Sequence, residues 1–544
     1  MRPTRLEPAR RLGLVLGAGL FATASVAVAA SAPVPAKRVI LISIDTLRPD
    51  HLGTYGYPRP TSPALDALAR RGVVFEKAMA QAPYTLPSHM SLLTGLEVWA
   101  HGVRLGNTKL RDEYTTLAET LKTKGFATAA WTDGGFMSAR YGFDQGFDVY
   151  HDQRAPGSSM TNGFRRYGED VRRWVEAQGE DPFFLFLHTF DTHGPYQAEE
   201  EHFEALAGSE PVVPAGAGRL GDPLAYLRKL GVHDYLELDR FETLGDMIGA
   251  YDATIRFVDS EVGRLVDWLE ERELLDDALV VITSDHGESF MDHHLYVGHG
   301  LTLYDEEIHV PLIVKFPGDR YAGTRCSDVV RSIDVFPTVT VATGAETSAL
   351  IQGVDLVRAL EGLDVEPRIA SGVSPNLAAH RTDGVEGVTG YIRRLNQKLV
   401  EPPACGLGRV LASHLDREAI RDRGEEYDLD ADPLRIKERL STELQLYDLS
   451  ADPQEQNNLA AVRSRDVKRI ERRMKKERER NVSLARVLGV GAAPEVLFQS
   501  EQQLEELFSQ GYLSSDQLRR LKAEFAMRRK KEAEQAEKSG EGDG

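Results

Sequence analysis

Short apolar runs at residues 39–43, 126–131, 183–187, 279–283 and 311–316 are each the length of a buried strand, and each is bounded by polar or turn-forming residues. Helical patterns lie between them. In the clearest, Ile255, Val258, Val262, Leu265, Val266 and Leu269 recur at helical spacing and predict one buried face, with Asp259, Glu261, Arg264 and Glu270 expected to face water. Strands alternating with helices predict an α/β fold, a mostly parallel central sheet flanked by helices on both faces. The ligand site of such a sheet lies beyond the carboxyl ends of its strands. Three of the runs lead directly into polar residues there: 39–43 into Asp45, 183–187 into His188 and His193, and 279–283 into Asp285 and His286.

After about residue 345 the alternation weakens, and residues 390–400 read as a hairpin arm of a smaller antiparallel α+β region. Residues 463–480 predict a charged helix with Val467, Ile470 and Met474 on one side. The chain thus divides into a leader (1–32), a catalytic body (33–345), a smaller C-terminal subdomain (346–500) and a polar helical tail (501–544) whose end has the composition of disordered chain. In the leader, Arg2, Arg5, Arg10 and Arg11 precede an apolar stretch of small residues that ends at Pro33 and Pro35. This is the pattern of an export signal, and an uncleaved single membrane anchor is the alternative. Either places the protein outside the cytoplasm, as a periplasmic, secreted or anchored chain.

The 544 residues carry 65 Lys and Arg against 84 Asp and Glu, a formal net charge of −19. That balance argues against nucleic-acid binding and requires any anionic substrate to be drawn in by a local site. Cys326 and Cys405, the only two cysteines, cannot form a cysteine-rich metal site; a disulfide and two buried thiols both remain open.

Asp45, Asp285 and His286 offer oxygen and imidazole ligands from separate strand ends, a set that suits Mn, Zn or Mg better than Ca, which prefers all-oxygen shells. Taken singly, an aspartate after a strand is more often a helix cap or turn residue. In Thr85-Leu-Pro-Ser-His-Met-Ser-Leu-Leu-Thr-Gly95, Pro87 suits the first turn of a helix and Gly95 its end, so Thr85 is expected just ahead of the helix N-terminus. Metal coordination would lower the pKa of its hydroxyl, and the helix terminus would stabilise charge on a phosphoryl or sulfuryl oxygen. An ordinary N-cap threonine is the plainer reading.

Taken together and in order, these segments resemble the sulfatase family of the alkaline phosphatase superfamily, over about residues 38–461. Ser43-Ile-Asp-Thr-Leu-Arg-Pro-Asp-His-Leu-Gly53 is similar to the family's opening metal segment, and the run from Thr85 to its Cys-x-Pro-Ser-Arg-x-x-Leu-Leu-Thr-Gly motif, whose cysteine becomes formylglycine. Phe186-Leu-His-Thr-Phe-Asp-Thr-His-Gly-Pro-Tyr196, Thr283-Ser-Asp-His-Gly-Glu288, Gly298-His-Gly300 and Val310-Pro-Leu-Ile-Val314 follow in family order. Leu446-Tyr-Asp-Leu-Ser-Ala-Asp-Pro-Gln-Glu-Gln-Asn-Asn-Leu459 resembles its C-terminal signature.

The resemblance implies a divalent metal held by Asp45, Thr85, Asp285 and His286, with His193 and His299 binding the ester oxygens or the leaving group. His89, His101 and His188 are further substrate-contact candidates, each of which a structural role would explain as well. The chain also departs from the pattern. Thr85 cannot become formylglycine, His89 replaces the usual Arg, Thr46 replaces a second metal-binding Asp, and His286 stands where many sulfatases have Asn. Asp133 falls where many place a sulfate-binding Lys, and would repel an anion unless it held a second metal or met a cationic substrate group. A Thr, Asp, Asp, His set resembles superfamily members that use a threonine nucleophile on phosphate esters. The envelope transferases among them usually carry several membrane spans; this chain has at most one, which favours hydrolysis. The expectation is an exported hydrolase of phosphate mono- or diesters acting on a small-molecule or envelope glycan ester. A sulfuric ester hydrolase without formylglycine and a non-catalytic ligand-binding protein are its rivals.

Overall fold

The strand β1 (Arg38–Ile44) is buried at every position. It needs seven consecutive residues that tolerate burial on both faces, because parallel neighbours flank it and helices cover the sheet. The computed structural model describes residues 35–487 except 105–107, 153–162, 215–223, 225–235, 294–296, 301, 347–349, 364–368, 375–388, 395–396 and 401–443, together with a few isolated positions beyond. The leader, Cys405 and nearly all of the tail 501–544 therefore lie outside the described residues. Among those described, no helix is long and apolar enough to cross a membrane.

The strands that follow are β2 (Val73–Met79), β3 (Ala127–Trp131), β4 (Val149–His151), β5 (Phe183–Thr189), β6 (Ala278–Thr283), β7 (Ser289–Phe290), β8 (Val297–Gly298), β9 (His309–Val310), β10 (Leu312–Lys315) and β11 (Thr324–Arg331). All but the small β7–β8 pair belong to a nine-stranded sheet of order β11-β2-β10-β6-β1-β5-β3-β4, with β9 beside β2. The run from β6 to β4 is parallel, whereas β10 is antiparallel to both of its neighbours. The predicted runs correspond to β1, β3, β5, β6 and β10. Patterning missed β2, whose Glu76 and Lys77 are only partly buried, and β11, an edge strand with polar positions open to solvent.

The predicted helix is Leu244–Glu271, and here the sequence reading needs correction. Asp259 is fully buried and Glu261 nearly so. The Asp259 carboxylate accepts from the main-chain N–H groups of Ala64 and Leu65 at 3.1 and 2.8 Å, satisfying the N-terminus of the helix Pro63–Arg70, and Glu261 accepts from Arg165 at 2.8 Å. A charged position within helical periodicity gives no sign that it caps another helix.

Beyond the main sheet, β12 (Ile369–Ser374), β13 (Thr389–Arg394), β14 (Gln397–Val400) and β15 (Gln445–Asp448) form a four-stranded antiparallel sheet. Its β13–β14 pair is the expected hairpin. The helix Ser464–Val487 lays Val467 and Met474 against Leu446 of β15, as the apolar stripe predicted. A buried ionic cluster ties the small sheet to the body. The Lys398 ammonium donates to Asp305 at 2.9 Å and to Glu455 at 3.0 Å, and Arg393 reaches Asp305 at 2.7 Å.

Alongside, His293 stacks on Tyr304 with ring centroids 3.6 Å apart. Its Nδ1 meets Glu306 at 2.7 Å and its Nε2 meets the Glu455 carbonyl at 3.3 Å, so both nitrogens face acceptors. Burial opposes the charge, but Glu306 and Glu455 outweigh it and raise the His293 pKa to about 9. A folded pKa above the unfolded one means a stabilisation complete below pH 6.5 and lost as the pH rises through about 9. In urea unfolding across this range, the stability difference between wild type and His293→Gln is expected to shrink steadily. A difference independent of pH would contradict the ion-pair account.

Candidate active site

Register fixes the site. Ser43 of β1 lies opposite His188 of β5 on one side and Thr283 of β6 on the other. The next residues of all three strands therefore leave the sheet at one edge, and the Asp45 N–H donates to the Thr189 carbonyl at 3.0 Å. Immediately after Asp45 the chain turns sharply. Thr46 has φ of 52°, a left-handed conformation that a β-branched residue rarely adopts. Its hydroxyl donates to the Thr192 carbonyl at 2.9 Å, and the Tyr251 hydroxyl donates to the Thr46 carbonyl at 2.8 Å while accepting from Arg48 N–H at 3.0 Å. The Thr46 N–H points at Asp285 Oδ1, 3.4 Å away.

Asp45, Asp285 and His286 are buried, and their ligand atoms lie within 4.8 Å of one another. The His286 Nδ1–H donates to the Gly287 carbonyl at 2.9 Å, which leaves Nε2 facing Asp285 Oδ2 at 3.3 Å, Thr85 Oγ at 3.3 Å and Asp45 Oδ1 at 4.0 Å. Anchoring the far nitrogen to a carbonyl is how ligating histidines are held. Asp45 Oδ1 and Asp285 Oδ2, both deeply buried, have no hydrogen-bond partner among the described residues. Burial and the Asp285 charge push the Asp45 pKa far up. Asp285, despite burial, is held down to about 2 by His286, His89 and His188, and the two acids drive His286 upward against its own burial. Two carboxylates and an imidazole lone pair aimed at one point require positive charge there, and the residues present fit a divalent cation.

Thr85 is the first residue of the helix Thr85–Thr94, one place inside the expected position, with Tyr84 at the cap and Gly95 closing the other end at φ 67°. Its hydroxyl lies 3.5 Å from Asp45 Oδ2. Ser88, on the same helix, donates to the Asp285 carbonyl at 2.6 Å and so locks the helix to the β6 loop.

The histidines fall into distinct settings. Both His89 nitrogens are engaged, Nδ1 with the Thr85 carbonyl at 3.1 Å and Nε2 with Ser43 Oγ at 2.8 Å, so it braces the first helical turn. His188 donates Nδ1–H to the Ser43 carbonyl at 3.1 Å and stands behind Asp45, Nε2 at 3.4 Å from Oδ2. His101 is engaged by Ser91 Oγ at 3.0 Å and the Val103 N–H at 3.1 Å, and neither is a predicted site group. Burial lowers all three, His89 and His101 to about 3 and His188 to about 4. His193 and His299 pack ring to ring at 5.0 Å, and His299 also lies 4.3 Å from the His286 ring. Burial depresses both, His193 to about 3.

Asp133 is enclosed rather than open to ligand. Arg166 supplies its cation at 3.1 Å, and the Phe190 N–H and Thr189 hydroxyl donate to its other oxygen at 3.2 and 3.3 Å. Sequence reasoning passed over two buried acids, Glu288 and Glu307. Glu288 accepts from His299 Nδ1–H at 3.0 Å and is raised to about 7 by burial; Glu307 accepts from the N–H groups of Gly300 and Thr302. Glu288 closes the quoted Thr283–Glu288 motif, so its place beside Asp285 and His286 was the available signal, whereas nothing in the pattern marked Glu307.

A hydroxyl on a helix N-terminus, facing a cation-demanding cluster at the carboxyl end of a parallel sheet with imidazoles opposite, defines a metal-assisted ester-cleaving centre. Residues 37–345 match the sequence model of the Sulfatase family, and the chain belongs to that family, whose members use a divalent metal to hydrolyse sulfuric or phosphoric esters. An ulvan-active sulfatase of Formosa agariphila is 26% identical over 354 residues, covering 60% of this chain and 66% of that protein. A multifunctional alkaline phosphatase superfamily protein of Trinickia caryophylli is 26% identical over 420 residues, covering 62% of this chain and 77% of that protein. The crystal structure of the phosphonate monoester hydrolase of Agrobacterium radiobacter shares the fold, with a TM-score of 0.61 at 21% identity over 84% of this chain and 96% of that one.

Elemental analysis after dialysis checks the cluster. Asp45→Asn and Asp285→Asn are expected to lose bound divalent metal that the wild type and His101→Ala retain. A full equivalent of metal in Asp285→Asn would contradict the ligand set.

Proposed function

We propose that the chain is an exported hydrolase of phosphate mono- or diesters in which Thr85 is the nucleophile. The observation that carries this reading is the Thr85 hydroxyl at the first position of a helix, 3.3 Å from His286 Nε2 and 3.5 Å from Asp45 Oδ2. Asp45, Thr85, Asp285 and His286 would hold an ion of the Mn, Zn or Mg type, because a mixed oxygen and imidazole set disfavours Ca. Such an ion would lower the pKa of the Thr85 hydroxyl and offset charge on the ester oxygens. Thr85 Oγ, its proton given up to solvent, attacks phosphorus in line and forms a phospho-threonine ester as the bond to the leaving oxygen breaks. The helix N-terminus offers N–H groups to the phosphoryl oxygens. His299 or His193 delivers a proton to the leaving alkoxide, and the same imidazole then takes a proton from the water that releases phosphate.

His299 is the better placed of the two for the leaving group. Its Nδ1–H is held by a carboxylate, Glu288 Oε1 at 3.0 Å, which favours the charged ring that can give up a proton, whereas the Nδ1–H of His193 rests on the neutral Gly194 carbonyl at 2.7 Å. Residues 33–345 form the catalytic body, and the substrate is a small-molecule or envelope glycan ester. Sulfuric ester hydrolysis by Thr85 itself is the second reading, favoured by the family and by the sulfatase among the relatives.

A screen of 4-nitrophenyl phosphate, a phosphodiester and a sulfate ester tests both readings. Phosphate ester turnover is expected to need metal and to fall by at least about 10³-fold in Thr85→Ala, with Thr85→Ser keeping a measurable fraction. A fully active Thr85→Ala enzyme would refute the nucleophile, and a preference for sulfate would select the second reading.

A further inference from the structure

An imidazole that protonates a leaving group must present one nitrogen to it and keep the other occupied, or the ring rotates and the wrong tautomer forms. His299 meets that condition through Glu288. Its Nδ1–H donates to Glu288 Oε1 at 3.0 Å, which leaves Nε2 as the nitrogen that can serve the leaving oxygen. The acid is itself held firmly. Glu288 is fully buried, and its carbonyl accepts from Arg48 Nη1 at 2.9 Å, so the strand after the metal segment and the loop after β1 are fastened together at this residue. The rings of His286, His193 and Tyr84 pack around His299 at 4.3, 5.0 and 6.5 Å.

The backbone that carries His299 is gathered by a different carboxylate. Glu307, fully buried, accepts from Gly300 N–H at 2.8 Å and from Thr302 N–H at 3.2 Å, and also from the Thr302 hydroxyl. One acid holds the loop and the other aims the ring. A carboxylate costs more to bury than the amide of Gln, which would fill the same space, and the groups that favour its charged form here are the site's own imidazoles, the Tyr196 hydroxyl and Arg48.

We infer that Glu288 is the positioning residue for His299, setting its tautomer and aiming Nε2 at the leaving oxygen. The inference rests on the reading of His299 as leaving-group acid. As the bond from phosphorus to the leaving oxygen breaks, the Nε2 proton moves to that oxygen and the Nδ1 proton stays on the Glu288 side. Thr85 enters as the alkoxide, its proton having passed to solvent; water attack on the phospho-threonine returns a proton to Nε2 and expels Thr85 as the alkoxide again, so the cycle balances without any other reactant.

The test compares two aryl esters of the same acid, 4-nitrophenyl and phenyl, in the metal-loaded full chain. A poor leaving group needs the proton and a good one much less. Glu288→Ala is expected to lose about 100-fold in kcat on the phenyl ester and less than about tenfold on the 4-nitrophenyl ester, with KM and metal content preserved. Glu288→Gln, which keeps an acceptor for Nδ1–H and the shape of the side chain, should recover most of the loss. Equal losses on both esters, or loss of metal in Glu288→Gln, would overturn the inference while a leaving-group-selective His299→Ala still upheld the acid. A His299→Ala enzyme with no leaving-group selectivity would instead overturn the acid reading, and the inference with it.

Discussion

Two buried carboxylates beside one imidazole cannot both stay ionised without positive charge between them, and the arrangement of this protein follows from that constraint. Asp45 and Asp285 reach the site from adjacent parallel strands, β1 and β6, and the strand register leaves them no choice of direction. Asp45 Oδ1 and Asp285 Oδ2, which have no hydrogen bond among the described residues, and the Nε2 of His286 converge on one point. In water such groups would be hydrated. In a dry interior they store a demand for charge that a metal ion answers, and the ion in turn would act on the Thr85 hydroxyl beside it.

Meeting that demand involves residues beyond the cluster itself. Thr46 is forced into a left-handed turn so that its N–H faces Asp285, and Tyr251 and Thr192 hold it there. His89 and Ser88 fasten the helix that begins at Thr85 to the strand ends, and His188 braces Asp45 from behind. On the opposite side, the ionic cluster of Arg393, Lys398, Asp305 and Glu455 anchors the small sheet beside the short helix Asp305–Ile308 that carries Glu307. The C-terminal strands thus support the wall of the site as well as extending the fold.

Much of this was legible from the residues alone. Continuous apolar runs mark β1, β3, β5, β6 and β10 because these central strands are buried on both faces, and the polar residues after three of them mark the site because parallel strands end together. β2 and β11 escaped because partial exposure mixes charge into their patterns. Asp259 and Glu261 were misjudged for the converse reason, since a helix face can bury an acid when the far end of another helix or an arginine receives it. Asp45, Asp285 and His286, expected as metal ligands, do come together as a group, but the settings of His89, His101 and Asp133 depend on contacts 10 to 56 residues distant, which periodicity does not encode. Glu288 and Glu307 read as ordinary charges until the fold buried them.

The central claim is that Thr85 forms the covalent bond to substrate. Acid quenching during turnover of an aryl ester, followed by peptide mass spectrometry, tests it directly. The account predicts a phosphoryl adduct on the Thr85 side chain that accumulates with substrate and is absent from Thr85→Ala. Turnover at full rate with no adduct on that residue, and with Thr85→Ala still active, would contradict it.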